Sequence, residues 1–120
     1  MSARSGDAGE MLRGNTPALI LAVLADGPCH GYAIAREIER RSHEALHLRE
    51  GSLYPALRAL ETDELVSSRW EQQASGPARR VYALTAAGRV ELARRARAWR
   101  DFTQAIDAVL GGTLDGTQPA

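Results

Sequence analysis

The stretch EGSLYPALRAL, residues 50–60, decides the fold. Leu53, Leu57 and Leu60 recur at i, i+4 and i+7, which places them on one stripe of an α-helix facing a core. Ser52, Pro55, Arg58, Ala59 and Thr62 fall on the opposite, solvent-facing side, with Tyr54 and Glu61 at the boundary. A proline inside a helix loses a hydrogen bond and costs roughly 3 kcal/mol, whereas one in the first turn removes a donor that has no partner anyway. Pro55 therefore predicts a helix start near Gly51 or Ser52, and a face there that is small, polar and open to close approach.

Working outward, NTPALILAVLADGP predicts a short, mostly buried first helix, with Thr16 as N-cap, Pro17 at the first helical position and a stop at Asp26-Gly27-Pro28. HGYAIAREIERRSH predicts an amphipathic second helix with Ile34 and Ile38 inward. EALHL, residues 44–48, suits a single-residue bridge or small strand. Downstream, LVSSRWEQQ and RRVYALT are β-prone runs separated by ASGPA, whose Gly76-Pro77 signals a turn, so they read as a β-hairpin in which Trp70 braces the hairpin against the domain.

Thr85 then caps a helix of about 25 residues, roughly 37 Å long at 1.5 Å per residue. Its residues Leu92, Ala96, Trp99, Thr103, Ile106 and Leu110 alternate by fours and threes, an a/d seam, with Phe102 in a second apolar row beside it. That is more apolar surface than one small domain covers, which points to a second copy of the chain. The expected organisation is a flexible tail over 1–10, a DNA-binding unit over 11–85, a dimerisation helix over 86–110 and a flexible tail over 111–120. The fold class is mainly α with a β-hairpin wing: a winged helix-turn-helix followed by a long C-terminal helix.

GSLYPALRALETDELV and SRWEQQASGPARRVYALTAAGR, with the earlier GPCHGYAIAREI, resemble the PadR family of bacterial transcriptional regulators over residues 11 to 110. The single C-terminal helix resembles the short subfamily. The resemblance implies a homodimeric winged-helix repressor on a palindromic operator in double-stranded DNA, released in some members by small aromatic or multidrug-like effectors. It assigns Gly51, Ser52, Tyr54, Pro55 and Arg58 to the start of the recognition helix. Arg79 and Arg80 fall in the wing, and Tyr32 near the side that contacts the DNA backbone. Trp99 corresponds to a tryptophan that lines the dimer interface and binds ligand in sensing members; packing the dimer core is its other reading. Glu64 departs from the family's helix-ending glycine, and a left-handed conformation there costs of order 1 kcal/mol.

Composition narrows the partners. The 120 residues carry zero formal charge, so any basic surface comes from segregation in space, with Glu37, Glu39 and Glu71 turned from the duplex. All 15 basic residues are arginine, which genome base composition explains as readily as bidentate phosphate chemistry. The one cysteine, Cys29, permits no internal disulfide; no apolar run approaches a membrane span; a cytoplasmic protein without cofactor or membrane contact is expected. His43 and His47 stand at i, i+4 with no third metal ligand evident, and Ser42-His43-Glu44 is adjacency rather than a catalytic triad, so no metal site or enzyme is expected. The rival reading is a winged helix that docks proteins without specific DNA binding. Near neutrality predicts a shallow salt dependence of DNA binding, with log K falling by fewer than about six per log unit of salt, measurable by fluorescence anisotropy.

Overall fold

A helix-turn-helix packed on a three-stranded sheet, from which one long helix runs out, is the architecture of the computed structural model, which describes residues 14–111. The elements are α1 (Thr16–Leu24), β1 (Cys29–His30), α2 (Gly31–Arg41), α3 (Glu50–Thr62), β2 (Val66–Glu71), β3 (Arg79–Leu84) and α4 (Ala86–Leu110). The tails expected over 1–10 and 111–120 lie outside the described residues, save Gly111.

The winged-helix class read from the sequence is the fold observed. Ile20, Leu21 and Leu24 of α1, Ile34 and Ile38 of α2, and Leu53, Leu57 and Leu60 of α3 form one buried core with Leu48, Val66 and Tyr82. The three α3 leucines are between 0 and 3% exposed, so the stripe is the seat of the helix. The sheet is antiparallel in the order β1-β3-β2, with Val66 opposite Leu84 and Trp70 opposite Arg80. Gly76, at φ 89°, turns the hairpin in a conformation that favours glycine.

Local details correct the sequence reading. The recognition helix starts at Glu50 with Arg49 as its N-cap, and Leu53 N–H already donates to the Arg49 carbonyl at 2.8 Å. Pro55 therefore lies in the second turn, beyond the donors that lack intrahelical partners, and the Gly51 carbonyl forgoes its i+4 bond. Because Gly51 is exposed, that carbonyl faces water, which lowers the penalty. Asn15, not Thr16, occupies the N-cap position of α1, and Thr16 is buried inside the first turn. No strand forms over residues 44–48; the third strand is Cys29–His30, which pairs with Tyr82 and Val81, although the sequence reading places His30 at the start of the second helix. Two residues are too short to show a period-2 signal. Trp70 braces nothing against the core: it is 65% exposed.

The ends of α2 and α3 share one device. After α3, Leu65 N–H donates to the Leu60 carbonyl and Glu64 N–H to the Glu61 carbonyl, both at 2.9 Å, a Schellman closure with Glu64 left-handed at φ 61°. After α2, Glu44 and His43 N–H groups reach the carbonyls of Glu39 and Arg40 with His43 at φ 52°. Where the chain leaves β3 for α4, it packs back on the residues that follow α3: Thr85 Oγ1 accepts from Gly88 N–H at 2.9 Å and lies within 3.0 Å of the Leu65 carbonyl. A Cβ at Gly88 would stand 2.1 Å from the Leu65 carbonyl oxygen, so only glycine fits.

Glu64→Gly removes the left-handed penalty while keeping both closing bonds. It is expected to stabilise the fold by about 1 kcal/mol, read as a raised urea midpoint with unchanged m-value.

Candidate nucleic-acid interface

Burial of the leucine stripe leaves the other face of α3 open. Gly51, Ser52, Pro55, Arg58, Ala59 and Thr62 are all exposed, as the 100° helical spacing requires. Gly51 has no packing reason to be glycine, since a Cβ there would meet nothing within 4 Å. Gly31 contrasts with it: its missing Cβ would lie 2.8 Å from the Tyr54 ring. Tyr54 is half-buried against the core and leans on Gly31, which fixes the start of α3 to the start of α2.

Glu37, Glu39 and Glu71 each have a partner within the fold. Glu37 is clasped by Arg40 and Arg41, whose hydrogen bonds, Arg40's first, hold its carboxyl down to about 2. Glu39 meets His47 at 2.5 Å, and Glu71 meets Arg69 at 3.2 Å. On α4, the hydrogen bond from Arg94, aided by Arg95, holds Glu91 at about 2. Arg36, Arg49 and Arg58 form no ion pair within 4 Å among the described residues, and neither do Arg89, Arg97 and Arg100 of α4; Glu39 acts on Arg36 from farther away. Arg36 instead stacks 5.5 Å from the centre of the Tyr32 ring and donates to the Tyr32 hydroxyl at 3.0 Å. Tyr32, Arg36 and Arg49 line an open cleft of about 240 Å³ between α2 and the beginning of α3. The unpaired arginines thus fall in two groups, one on α3 and beside its start, where Glu39 and Glu50 also line the cleft, and one along α4.

The wing arginines lie on opposite faces of β3, as strand alternation demands. Arg79 reaches His30 Nε2 at 3.2 Å, and burial together with the Arg79 charge pushes the His30 imidazole below its ordinary value, so it stays a neutral acceptor near pH 7. Arg80 turns toward α3, donating from Nε to Ser68 Oγ at 2.8 Å. The loop tip, Ser75 to Pro77, is exposed.

On α4, Leu92 packs against the core, but Ala96, Trp99, Phe102, Ile106 and Leu110 are exposed; only Thr103 of the later seam is half-buried. Trp99 and Phe102 touch at a centroid distance of 5.8 Å. Together with Ala18, Leu19 and Ala22 of α1 they line an apolar groove of about 690 Å³.

These features have close counterparts. Residues 20–94 match the family described as transcriptional regulator PadR-like. The chain belongs to that family. It is a PadR-family transcriptional regulator with a DNA-binding winged-helix fold, and regulators of this family bind DNA and are typically dimers. It is 38% identical to a transcriptional regulator of Mycobacterium tuberculosis over 93 residues, which span 78% of this chain and 80% of that one. Among solved structures, a PadR family regulator of Clostridium difficile is 33% identical with TM-score 0.71, covering 81% of this chain and 99% of that one. A PadR family regulator of Eggerthella lenta gives TM-score 0.78 at 26% identity, covering 89% and 91%. These homologues are regulators of transcription rather than enzymes. His43 and His47 both follow the end of α2 at Arg41 and share no helix, and among the described residues no cluster of three metal-ligating side chains forms.

In this PadR chain the sequence reading gave no role to Arg36 or Arg49, which line the cleft at the start of α3. Arg36 read as one charge on a solvated helix face, and Arg49 preceded the expected helix start. An N-cap basic residue is an unusual choice beside the positive end of a helix dipole, and that anomaly was the available signal. The glycine contrast gives a stability test. Gly51→Ala is expected to leave stability unchanged or raise it by up to about 0.5 kcal/mol, whereas Gly31→Ala lowers it by about 1–3 kcal/mol through collision with Tyr54, both read by urea unfolding.

Proposed function

We propose that the chain is a homodimeric, cytoplasmic repressor that lays α3 in the major groove of a palindromic operator and releases it when a small planar aromatic effector occupies the groove beside Trp99. The observation that carries this reading is the α3 start: a needless glycine, exposed Ser52 and Pro55, and the unpaired cations Arg49 and Arg58 on one approachable surface. Gly51 and Ser52 let backbone N–H groups approach a phosphate, and the partial positive charge of the helix start favours the anion. Arg58, nearly two turns further along, reaches a base edge or phosphate. Arg36, held by Tyr32, and Arg49 flank the same groove and bind the phosphates that fix register. Tyr54 contributes its hydroxyl while its ring stays packed. The hairpin tip lies along flanking backbone with Arg79 behind it.

The uncovered surface of α4 supports the dimer. Val109 is 85% exposed and Phe102 54%, an amount of apolar surface that a second copy would remove from water. Two-fold symmetry then sets two recognition helices on successive turns of the operator. The groove of Trp99, Phe102 and Leu92 with α1 suits a flat apolar ligand, which stacks on the indole. Ligand seated between α1 and α4 changes their packing, and so the spacing of the two recognition helices.

The test is a gel shift and footprint on a duplex carrying the DNA upstream of the protein's own gene. Specific binding by wild type is expected, with at least a tenfold loss in Arg58→Ala and a smaller loss in Gly51→Ala and Tyr54→Phe, whose folds stay intact. A folded dimer that gives no specific footprint would instead establish a protein-docking winged helix. Sedimentation should show a dimer for wild type and a monomer for Ile106→Glu, and flat aromatic compounds should quench fluorescence in wild type but not in dimeric Trp99→Ala.

A further inference from the structure

The wing of a winged helix is useful only if it is held at a defined angle to the recognition helix, and the structure shows one polar connection between the two. Tyr54, Arg58 and Glu61 stand at i, i+4 and i+7 and form the wing-side edge of α3. Opposite them, Val66, Ser68 and Trp70 of β2 and Arg80, Tyr82 and Leu84 of β3 share one face of the hairpin, fixed by the pairs Ser68–Tyr82 and Trp70–Arg80.

Across this cleft, Ser68 Oγ donates to Glu61 Oε2 at 2.5 Å and accepts from Arg80 Nε at 2.8 Å. One hydroxyl thus serves as relay between a recognition-helix carboxylate and a wing guanidinium. The Arg80 Nη2 atom lies 3.6 Å from the same Glu61 oxygen, and the guanidinium carbon lies 5.4 Å from the centre of the Trp70 ring. Arg80 is therefore held on three sides: by a hydroxyl, a carboxylate and an indole face. Trp70, exposed and without a place in the core, has its explanation here as the plate under that cation.

We propose that Glu61, Ser68, Arg80 and Trp70 form a latch that sets the wing angle, and that Arg80 is a positioning residue for DNA binding rather than a phosphate contact. The inference rests on the DNA-binding reading above. Arg79 and Arg80 look equivalent in sequence, yet they do different work. Arg79 lies on the other face with His30 and Glu71, while the Arg80 guanidinium is already committed to the helix that must meet the groove. A preset wing angle lowers the ordering cost when both elements engage the duplex together. An arginine serves better than a lysine, because its planar fork donates to two partners while its face stacks on a third.

The two roles for Arg80 give opposite signs for Glu61. If Arg80 bound phosphate, Glu61 would compete with the DNA, so Glu61→Ala would tighten binding, and Arg80→Ala would lower the salt slope by about one. For a latch, Glu61→Ala, Ser68→Ala and Arg80→Ala each weaken binding several-fold. The Glu61→Ala/Arg80→Ala double variant is then no worse than the weaker single, and every salt slope equals that of wild type. Anisotropy titrations over a salt series, with the duplex from upstream of the protein's own gene, read all of these. Ser68→Ala guards against misfolding, since it removes one hydroxyl from a half-buried site. The latch is also read without DNA: the Arg80 Nε–H resonance in a ¹H–¹⁵N spectrum should shift in Glu61→Ala and Ser68→Ala. Tighter binding by Glu61→Ala, a reduced slope in Arg80→Ala, or unchanged affinity in all three singles overturns the proposal. An unshifted resonance overturns the latch itself, and failure of wild type to bind any duplex overturns the DNA reading, whatever the resonance shows.

Discussion

The burial of Leu53, Leu57 and Leu60 is the constraint on which the rest depends. Burying each leucine stabilises the fold by roughly 1.5–3 kcal/mol, and the three together hold α3 at one rotation about its axis. A rotation of 100° would expose the stripe and bury Arg58, so the recognition surface has one accessible setting. Tyr54 on Gly31 fixes the N-terminal end of that setting, and the Schellman closure at Glu64 fixes the C-terminal end. The outward face is the remainder after packing is satisfied, which leaves its residue types free to serve recognition.

Charge follows the same logic of exclusion. Glu37, Glu39, Glu71 and Glu91 each have a basic partner close by, mostly within one or two helical turns or along one hairpin. Exposed pairs of this kind add little to stability. Their consequence is electrostatic: the Glu37, Glu71 and Glu91 pairs cancel locally, which leaves Arg36, Arg49 and Arg58 near α3 and Arg89, Arg97 and Arg100 along α4 without an ion pair among the described residues.

The long helix shows a chain that is incomplete alone. Up to Leu92, α4 belongs to the core, and its start is locked by Thr85 and by the contact of Gly88 with the Leu65 carbonyl. From Ala96 to Leu110 nearly every apolar side chain is open to solvent, although the helix is continuous to its end. The start of α4, which follows β3, is packed on Leu65 just after α3, so the two helices are in contact through that junction.

Much was legible in the sequence because the signals are periodic. The leucine stripe of α3, the hairpin with its Gly76 turn, the Thr85 cap and the 25-residue span of α4 all follow from spacing and local backbone preference, whereas the left-handed Glu64 was signalled only by the family resemblance, which has a glycine there. What periodicity does not carry was decided by tertiary structure. The two-residue strand Cys29–His30 exists only because β3 offers it an edge, and residues 44–48 lack such an edge and form no strand. Pro55 was misplaced by a turn because the start of α3 is set by the Arg49 carbonyl and the packing of Leu48 rather than by the proline. Above all, the roles of the arginines were invisible: local sequence shows 15 equivalent cations, whereas only the fold determines which carboxylate each one meets. Hydrophobic order is written at fixed intervals along the chain, but electrostatic partnership depends on distances between segments that folding alone brings together.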